Sequence, residues 1–123
     1  MKRTVAYYSV FLGFSIIGIW FGIIKEGNIP EGKIAMGFHL YSEITMAIIC
    51  IVSGILMIRK KTFGVETNIA GHAMVIYSVI NAAGYYAQLG NKLMMNIFIM
   101  LFALSVTAVY LDYHTLKKEK DEQ

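Results

Sequence analysis

Charged residues are scarce in this sequence of 123 residues. Lys, Arg, Asp and Glu make up 15% of it and hydrophobic residues 57%, whereas about 25% of a typical soluble domain is charged. A soluble domain of this length exposes much of its surface and needs charged side chains to cover it. The composition therefore excludes disorder, most soluble enzyme folds and a nucleic-acid-binding platform, and we expect no nucleic-acid partner.

Cysteine, proline and the common catalytic motifs are also nearly or wholly missing. The single cysteine, Cys50, cannot form an intrachain disulfide, which excludes redox schemes that need a cysteine pair. The only proline lies in the turn-like segment 25–33 (KEGNIPEGK). The sequence contains no P-loop, dinucleotide-binding, zinc-protease or nucleophile-elbow motif. We therefore expect no cofactor and no metal site, and no catalytic residue can be named.

What the sequence does contain is four long stretches that are almost free of charge. Residues 4–24, 67–91 and 93–111 carry no charged side chain, and residues 34–58 carry only Glu43. About 20 apolar residues in a helix cross the hydrocarbon core of a bilayer, which is about 30 Å thick. The pattern predicts an all-α fold, an integral membrane bundle of four transmembrane helices.

The short breaks between these stretches predict one domain, residues 1–123, in which consecutive helices run antiparallel, up and down. The predicted helices are 4–24, 34–58, 67–89 and 93–113, and a solvated charged tail follows at 117–123. Asp112 falls at the inner end of the fourth helix.

Lysine and arginine predict the orientation of the bundle. Eight lie in the N-terminus, the second loop and the tail, and three, Lys25, Lys33 and Lys92, lie on the other side. The side rich in Lys and Arg usually faces the cytoplasm, so we expect both termini to be inside (N-in, C-in) in a multi-pass protein of the cell membrane. The expected partners are the lipid bilayer and either a second copy of the chain or a larger membrane complex.

Polar side chains inside the predicted helices are the candidates for function. His39 and Glu43 lie one turn apart on one face of the second helix. The third helix carries Asn81, Tyr85 and Gln88 on one face together with Ser78, at spacings of three and four. Pairing the antiparallel helices places these groups in the outer half of the membrane. The candidate binding residues are His39, Glu43, Asn81, Tyr85, Gln88 and Asn96.

Glu43 is the exceptional member of this group. A charged carboxylate in the middle of a span costs on the order of 3 kcal/mol on insertion scales. Glu43 can lower this cost by staying protonated, by pairing with a protonated His39, or by accepting hydrogen bonds from Asn81 and Tyr85. Two interpretations stay open: a proton-handling or ligand-binding site that opens to the outer face, and a buried network that fixes helix packing.

Two segments, FHLYSEITMAIICIVSGI (38–55) and YSVINAAGYYAQLG (77–90), together resemble a pattern of uncharacterised small four-helix membrane proteins of bacteria and archaea. In these proteins the second helix opens with a histidine and an acidic residue one turn on. The third helix ends in a run similar to I-N-x-x-G-Y-x-x-Q. The resemblance covers residues 38–90 and implies a four-helix membrane fold with no assigned activity.

Three classes of function follow from these observations. The first is a non-enzymatic module that binds a small ligand or lipid, or serves as an accessory or transport-related subunit. The second is an intramembrane enzyme that uses Glu43 and His39 as an acid–base pair on a lipid-like substrate. The third, a haem-binding electron carrier, is disfavoured because the level of His39 lies about 21 Å from His72 along the third helix.

Overall fold

The computed structural model describes residues 1–27 and 33–122, and these residues form four α-helices and no strand. The helices are α1 (Lys2–Glu26), α2 (Lys33–Ile58), α3 (Gly64–Gln88) and α4 (Lys92–Asp121). The prediction of an all-α chain with four helices is confirmed. Most of the predicted turn at 25–33 lies outside the described residues.

Local sequence signals mark several helix ends. α1 ends at Gly27, which adopts a left-handed conformation (φ 67°) and donates its N–H to the carbonyl of Ile24. Glycine is favoured there because it has no Cβ to clash in that conformation. α4 begins after Asn91, whose side-chain oxygen accepts a hydrogen bond from the backbone N–H of Met94 at 3.1 Å.

The hydrogen bonds between α2 and α3 show that these helices run antiparallel. Ser53 of α2 contacts Asn68 of α3, and Glu43, ten residues earlier, contacts Ser78, ten residues later. α1 and α4 meet where both termini lie, through an ion pair of 2.6 Å between Lys2 and Glu119. We call this the terminal end of the bundle, which also holds the connection 59–63, and the other the opposite end.

Three of the four helices, α1, α2 and α4, are long and apolar enough to cross a membrane. α3 is as long, with 25 residues, but it is less apolar. Among its polar side chains, Asn68 and His72 are fully buried between the helices. Some of the polar side chains that make α3 less apolar therefore face the interior of the bundle and not its outer surface.

The core fills the terminal half of the molecule and extends to its middle. Two apolar groups fill it, here named the terminal cluster and the middle cluster. The terminal cluster consists of Val5, Ala6, Met57, Val65 and Ala108. The middle cluster consists of Leu12, Met46, Cys50, Val75 and Val79. Toward the opposite end most side chains are exposed, and Trp20 is buried there against α2.

Two glycines allow α1 and α2 to approach closely in this half. A Cβ added to Gly54 would lie 2.6 Å from the carbonyl oxygen of Ala6, and one added to Gly13 would lie 2.6 Å from that of Ala47. Any larger residue would force these backbones apart. A Cβ added to Gly22, toward the opposite end, would meet no atom within 4 Å.

α4 continues to Asp121, through most of the charged segment 117–123 that the sequence predicts as a solvated tail. Tertiary contacts explain the extension. Leu116 packs against the terminal cluster, and Glu119 pairs with Lys2. Lys118 and Lys120 lie in the last turn, where positive charge is favourable to the helix dipole.

Candidate functional site

Glu43 lies partly buried in α2, with 14% of its side chain exposed. Its carboxylate accepts a hydrogen bond from the hydroxyl of Ser78 on α3. His39, one turn earlier in α2, places its Nε2 atom 3.9 Å from the Glu43 Oε1 atom, and its side chain is 48% exposed. The carboxylate is thus held by a donor from the neighbouring helix, with a half-exposed imidazole beside it.

α1 completes this group through Trp20. The indole contacts the His39 ring edge to face, with ring centroids 5.4 Å apart and planes at 73°. Aromatic rings favour this arrangement because the positive edge of one meets the negative face of the other. We call Trp20, His39, Glu43 and Ser78 the opposite-end site; it draws on three helices.

The other residues named from the sequence lie apart from this carboxylate. Asn81 is exposed and donates its side-chain amide to the Tyr77 carbonyl of its own helix, at 3.1 Å. Tyr85 packs edge to face on its neighbour Tyr86, at 5.3 Å between ring centroids. Gln88 and Asn96 are exposed. Within the described residues none of Asn81, Tyr85, Gln88 and Asn96 hydrogen-bonds to Glu43; that all six candidates bind a ligand stays a prediction.

The reason for this difference is a shift of one helical turn between α2 and α3. The sequence-based pairing places Glu43 level with Ala82 and beside Asn81. In the structure its partner is Ser78, three to four residues earlier. α3 begins at Gly64, ahead of the predicted start at residue 67, after the connection 59–63. Because α3 starts earlier than predicted, a different residue of α3 faces each residue of α2.

A second polar group, which the sequence-based reasoning missed, lies buried at the terminal end. Ser53 donates to the side-chain oxygen of Asn68 at 2.8 Å, and the Asn68 amide donates to the Asp112 Oδ2 atom at 2.6 Å. All three side chains are 0% exposed. This chain of hydrogen bonds joins α2, α3 and α4.

One turn further along α3, His72 is a second buried polar side chain with a partner of its own. Its Nε2 atom lies 2.9 Å from the Ser9 hydroxyl, which also donates to the Val5 carbonyl at 2.9 Å. Because that hydroxyl has a single proton, His72 donates from Nε2 and its Nδ1 atom is left as an acceptor. The Tyr8 ring stacks on the imidazole with centroids 5.5 Å apart.

Four buried polar atoms of this region have no hydrogen-bond partner among the described residues. They are Tyr8 Oη, His72 Nδ1, Ser105 Oγ and Asp112 Oδ1. We define the terminal-end network as Tyr8, Ser9, Ser53, Asn68, His72, Ser105 and Asp112. Two sequence signals point to it: Asn68 and His72 are four residues apart on α3, and Ser105 and Asp112 are seven apart on α4. Both spacings put polar groups on one helical face.

Neither group has the composition of a transition-metal centre. In the part of the chain that the structure describes, no three His, Cys, Asp or Glu side chains cluster so that they could hold a metal ion. The chemistry available at the two sites is that of hydrogen bonds, proton exchange and contact with an apolar ligand.

Over residues 1–27 and 33–122 the fold is all-helical with four helices, three of which are apolar enough to span a membrane. The chain belongs to the family described as domain of unknown function (DUF8058), whose model matches residues 1–123. Comparison with curated proteins and with solved structures gives no match. The family is uncharacterised, as the sequence resemblance implied.

Proposed function

We propose that the protein is a multi-pass protein of the cell membrane in which all four helices cross the bilayer. The apolar length of α1, α2 and α4 supports this proposal. α3 is joined to α2 and α4 by connections of only five and three residues (59–63 and 89–91) and packs along both. A helix of 25 residues is about 37 Å long, so α3 covers the same depth as its neighbours.

The distribution of Lys and Arg supports an orientation with both termini in the cytoplasm. The terminal end carries eight of these residues, in the N-terminus, the connection 59–63 and the last turns of α4. The opposite end carries three. The excess predicts that the terminal end is cytoplasmic, which places Glu43 and Ser78 in the outer half.

Within this setting we propose that the opposite-end site binds a lipid or another small amphiphile whose headgroup donates hydrogen bonds. The observation that carries the proposal is the Glu43 carboxylate, which lies in an apolar helix beside the half-exposed His39 and has 14% of its side chain exposed. An ionisable residue inside a membrane span marks a functional site by default. A headgroup with N–H donors would satisfy the carboxylate, while its apolar chain lies against the exposed helix faces.

The contrast with the terminal-end network favours binding over a purely structural role for Glu43. Ser53 and Asn68 are fully enclosed, as expected for groups that hold helices together. His39 is half exposed, and the Glu43 side chain retains some exposure. The opposite-end site is therefore the polar group that a molecule from outside can reach.

The fluorescence of Trp20 tests this proposal, because it is the only tryptophan and contacts His39. The purified chain in detergent micelles is titrated with short-chain phosphatidylethanolamine, whose ammonium group has N–H donors. We expect a saturable change in emission. Phosphatidylcholine of the same chain length is the matched ligand, and it should bind more weakly because its headgroup has no N–H.

Glu43→Gln should weaken phosphatidylethanolamine binding by about 10- to 100-fold, the range for a hydrogen bond to a charged group. Glu66→Gln, the same change at an exposed residue in the first turn of α3, should leave the affinity unchanged. Equal affinities for wild type and Glu43→Gln, or no response of Trp20 to either lipid, would contradict the proposal.

A further inference from the structure

Asp112 has surroundings that a permanently ionised carboxylate would not tolerate. Its side chain is 0% exposed, and within the described residues it forms no ion pair with a lysine, arginine or histidine. One oxygen, Oδ2, accepts the Asn68 amide, and the other, Oδ1, has no partner. A buried charge without a counter-charge costs several kcal/mol, whereas a carboxylic acid that holds a proton on Oδ1 carries no charge.

The neighbouring side chains also stabilise the ionised form of Asp112. Ser53 donates to the Asn68 side-chain oxygen, which turns the Asn68 amide toward Asp112 as a donor. An amide donor at 2.6 Å favours the carboxylate, because ionised acceptors form the stronger hydrogen bonds. Oδ2 of Asp112 can thus accept the Asn68 hydrogen bond whether the carboxyl group is ionised or protonated. Oδ1 is the oxygen that can gain or lose a proton.

A charged groove lies at the terminal end of the bundle. It has a volume of about 220 Å³ and carries Lys2, Lys61 and Glu119 on its walls, together with the apolar side chains of Val65 and Leu116. Leu116 follows Asp112 by one turn of α4, which is about 6 Å along the helix axis. One wall of the groove therefore belongs to the same stretch of α4 as the buried carboxylate.

Apolar residues of the middle cluster, Met46 and Cys50 on α2 and Val75 on α3, lie between the Glu43–Ser78 contact and the terminal-end network. The helices packed in this part of the bundle carry further ionisable groups. On α1 they are Lys2, paired with Glu119 of α4, and Tyr8; on α3 there is His72; on α2 there is the Cys50 thiol of the middle cluster.

We propose that Asp112 is a proton-binding site that exchanges protons with the terminal end of the bundle through this groove. On binding, a hydronium ion in the groove gives up a proton, an O–H bond forms at Oδ1, and one negative charge is neutralised. On release the O–H bond breaks and the proton returns to water on the same side. The site is separate from the opposite-end site and does not rest on the ligand proposed there.

Infrared difference spectroscopy of the full chain in lipid nanodiscs tests the proposal. Lowering the pH should produce the carbonyl stretching band of a protonated buried carboxylic acid. Asp112→Asn should abolish this band, since the amide copies the shape of the protonated acid but cannot titrate. Asp121→Asn, the same change at an exposed residue at the end of α4, should keep the band, and so should Glu43→Gln. Because Glu43 is a second partly buried carboxyl group, the decisive comparison is made without it: a band that is as strong in the double variant Glu43→Gln/Asp112→Asn as in Glu43→Gln alone would overturn the proposal.

The wild-type chain alone supplies a second measurement, should Asp112→Asn fail to fold. In vesicles that hold the protein in one orientation, the band should respond to a pH change on the side of the termini and not to one on the other side. A response only from the other side, or no response from either, would overturn the proposal. Lipid binding is tested separately, by the effect of Glu43→Gln on the affinity. A negative infrared result would therefore overturn the proton site without overturning lipid binding.

Discussion

Polar side chains of the same type have opposite surroundings in this molecule. Asn68 is fully buried and connects Ser53 to Asp112, whereas Asn96 is exposed on α4. Both lie in stretches without a charged residue, 67–91 and 93–111, so neither residue type nor the local absence of charge distinguishes them. The difference arises from which face of each helix is turned inward.

Asn68→Ala should lower the free energy of unfolding by on the order of 3 kcal/mol, because it leaves Ser53 and Asp112 buried without their partner. Reversible unfolding in mixed micelles measures this change. Asn96→Ala, the same substitution at the exposed position, should stay within about 0.5 kcal/mol of wild type. Equal effects of the two substitutions would contradict the burial of this network.

Ser78→Ala should destabilise the protein by about 1.5–3 kcal/mol, the usual value of a hydrogen bond to a charged group. Ser15→Ala is the control, because the Ser15 hydroxyl bonds only to the Phe11 carbonyl of its own helix. A double-mutant cycle with Glu43→Gln measures the coupling directly. If the effects of Ser78→Ala and Glu43→Gln simply add, the contact between α2 and α3 is not formed.

At the scale of helices, two features determine how the helices pack: small residues at a contact and the length of a connection. Gly13 and Gly54 bring α1 and α2 into backbone contact in the terminal half. The connection 59–63 sets the register of α3 against α2, and thereby chooses Ser78 as the partner of Glu43. Small residues and loop length therefore determine which polar groups can meet.

Gly54→Ala should destabilise the protein by about 1–3 kcal/mol, the usual cost of overpacking, because the new methyl group would lie 2.6 Å from the Ala6 carbonyl oxygen. Thermal unfolding of the purified chain measures this loss of stability. Gly22→Ala is the matched control and should be neutral or slightly stabilising, since its methyl group meets open space and alanine favours a helix. A neutral Gly54→Ala would contradict the close approach of α1 and α2.

At the scale of the whole molecule, packing and charge are both uneven. The terminal half contains the terminal cluster and the enclosed polar network, and the middle cluster extends to the level of Ser78, whereas the opposite end is largely exposed. The same terminal half ends in the basic surface that predicts the cytoplasmic side. The most tightly packed part of the bundle therefore lies next to the proposed inner face.

Single-cysteine labelling of cells tests this orientation, and the wild-type chain is its own control because Cys50 is fully buried. Asn91→Cys, between α3 and α4, should react with a membrane-impermeant maleimide on intact cells. Lys61→Cys, between α2 and α3, should react only after the membrane is opened. The reverse pattern would show the opposite orientation, with both termini outside. Labelling of both variants on intact cells would contradict the proposed topology.

The sequence predicted the four helices to within a few residues at most ends, because apolar runs and charged breaks act locally. It did not predict that α4 continues to Asp121, since that extension depends on Leu116 and Glu119 meeting distant parts of the chain. For the candidate site it identified His39 and Glu43 as neighbours, which follows from helical spacing alone. Ser78 replaced Asn81 beside Glu43 because the register between two helices is not encoded in either one.

What the sequence by itself determined is the number, type and approximate extent of the helices, and the one carboxylate in the middle of an apolar stretch. These are properties of consecutive residues, so spacing and composition suffice to read them. Only the tertiary structure decided that Asp112 lies inside the bundle bonded to Asn68, and that His72 is buried against Ser9. That outcome depends on how four helices rotate and slide against one another, because one turn of sliding exchanges every contact between two helices.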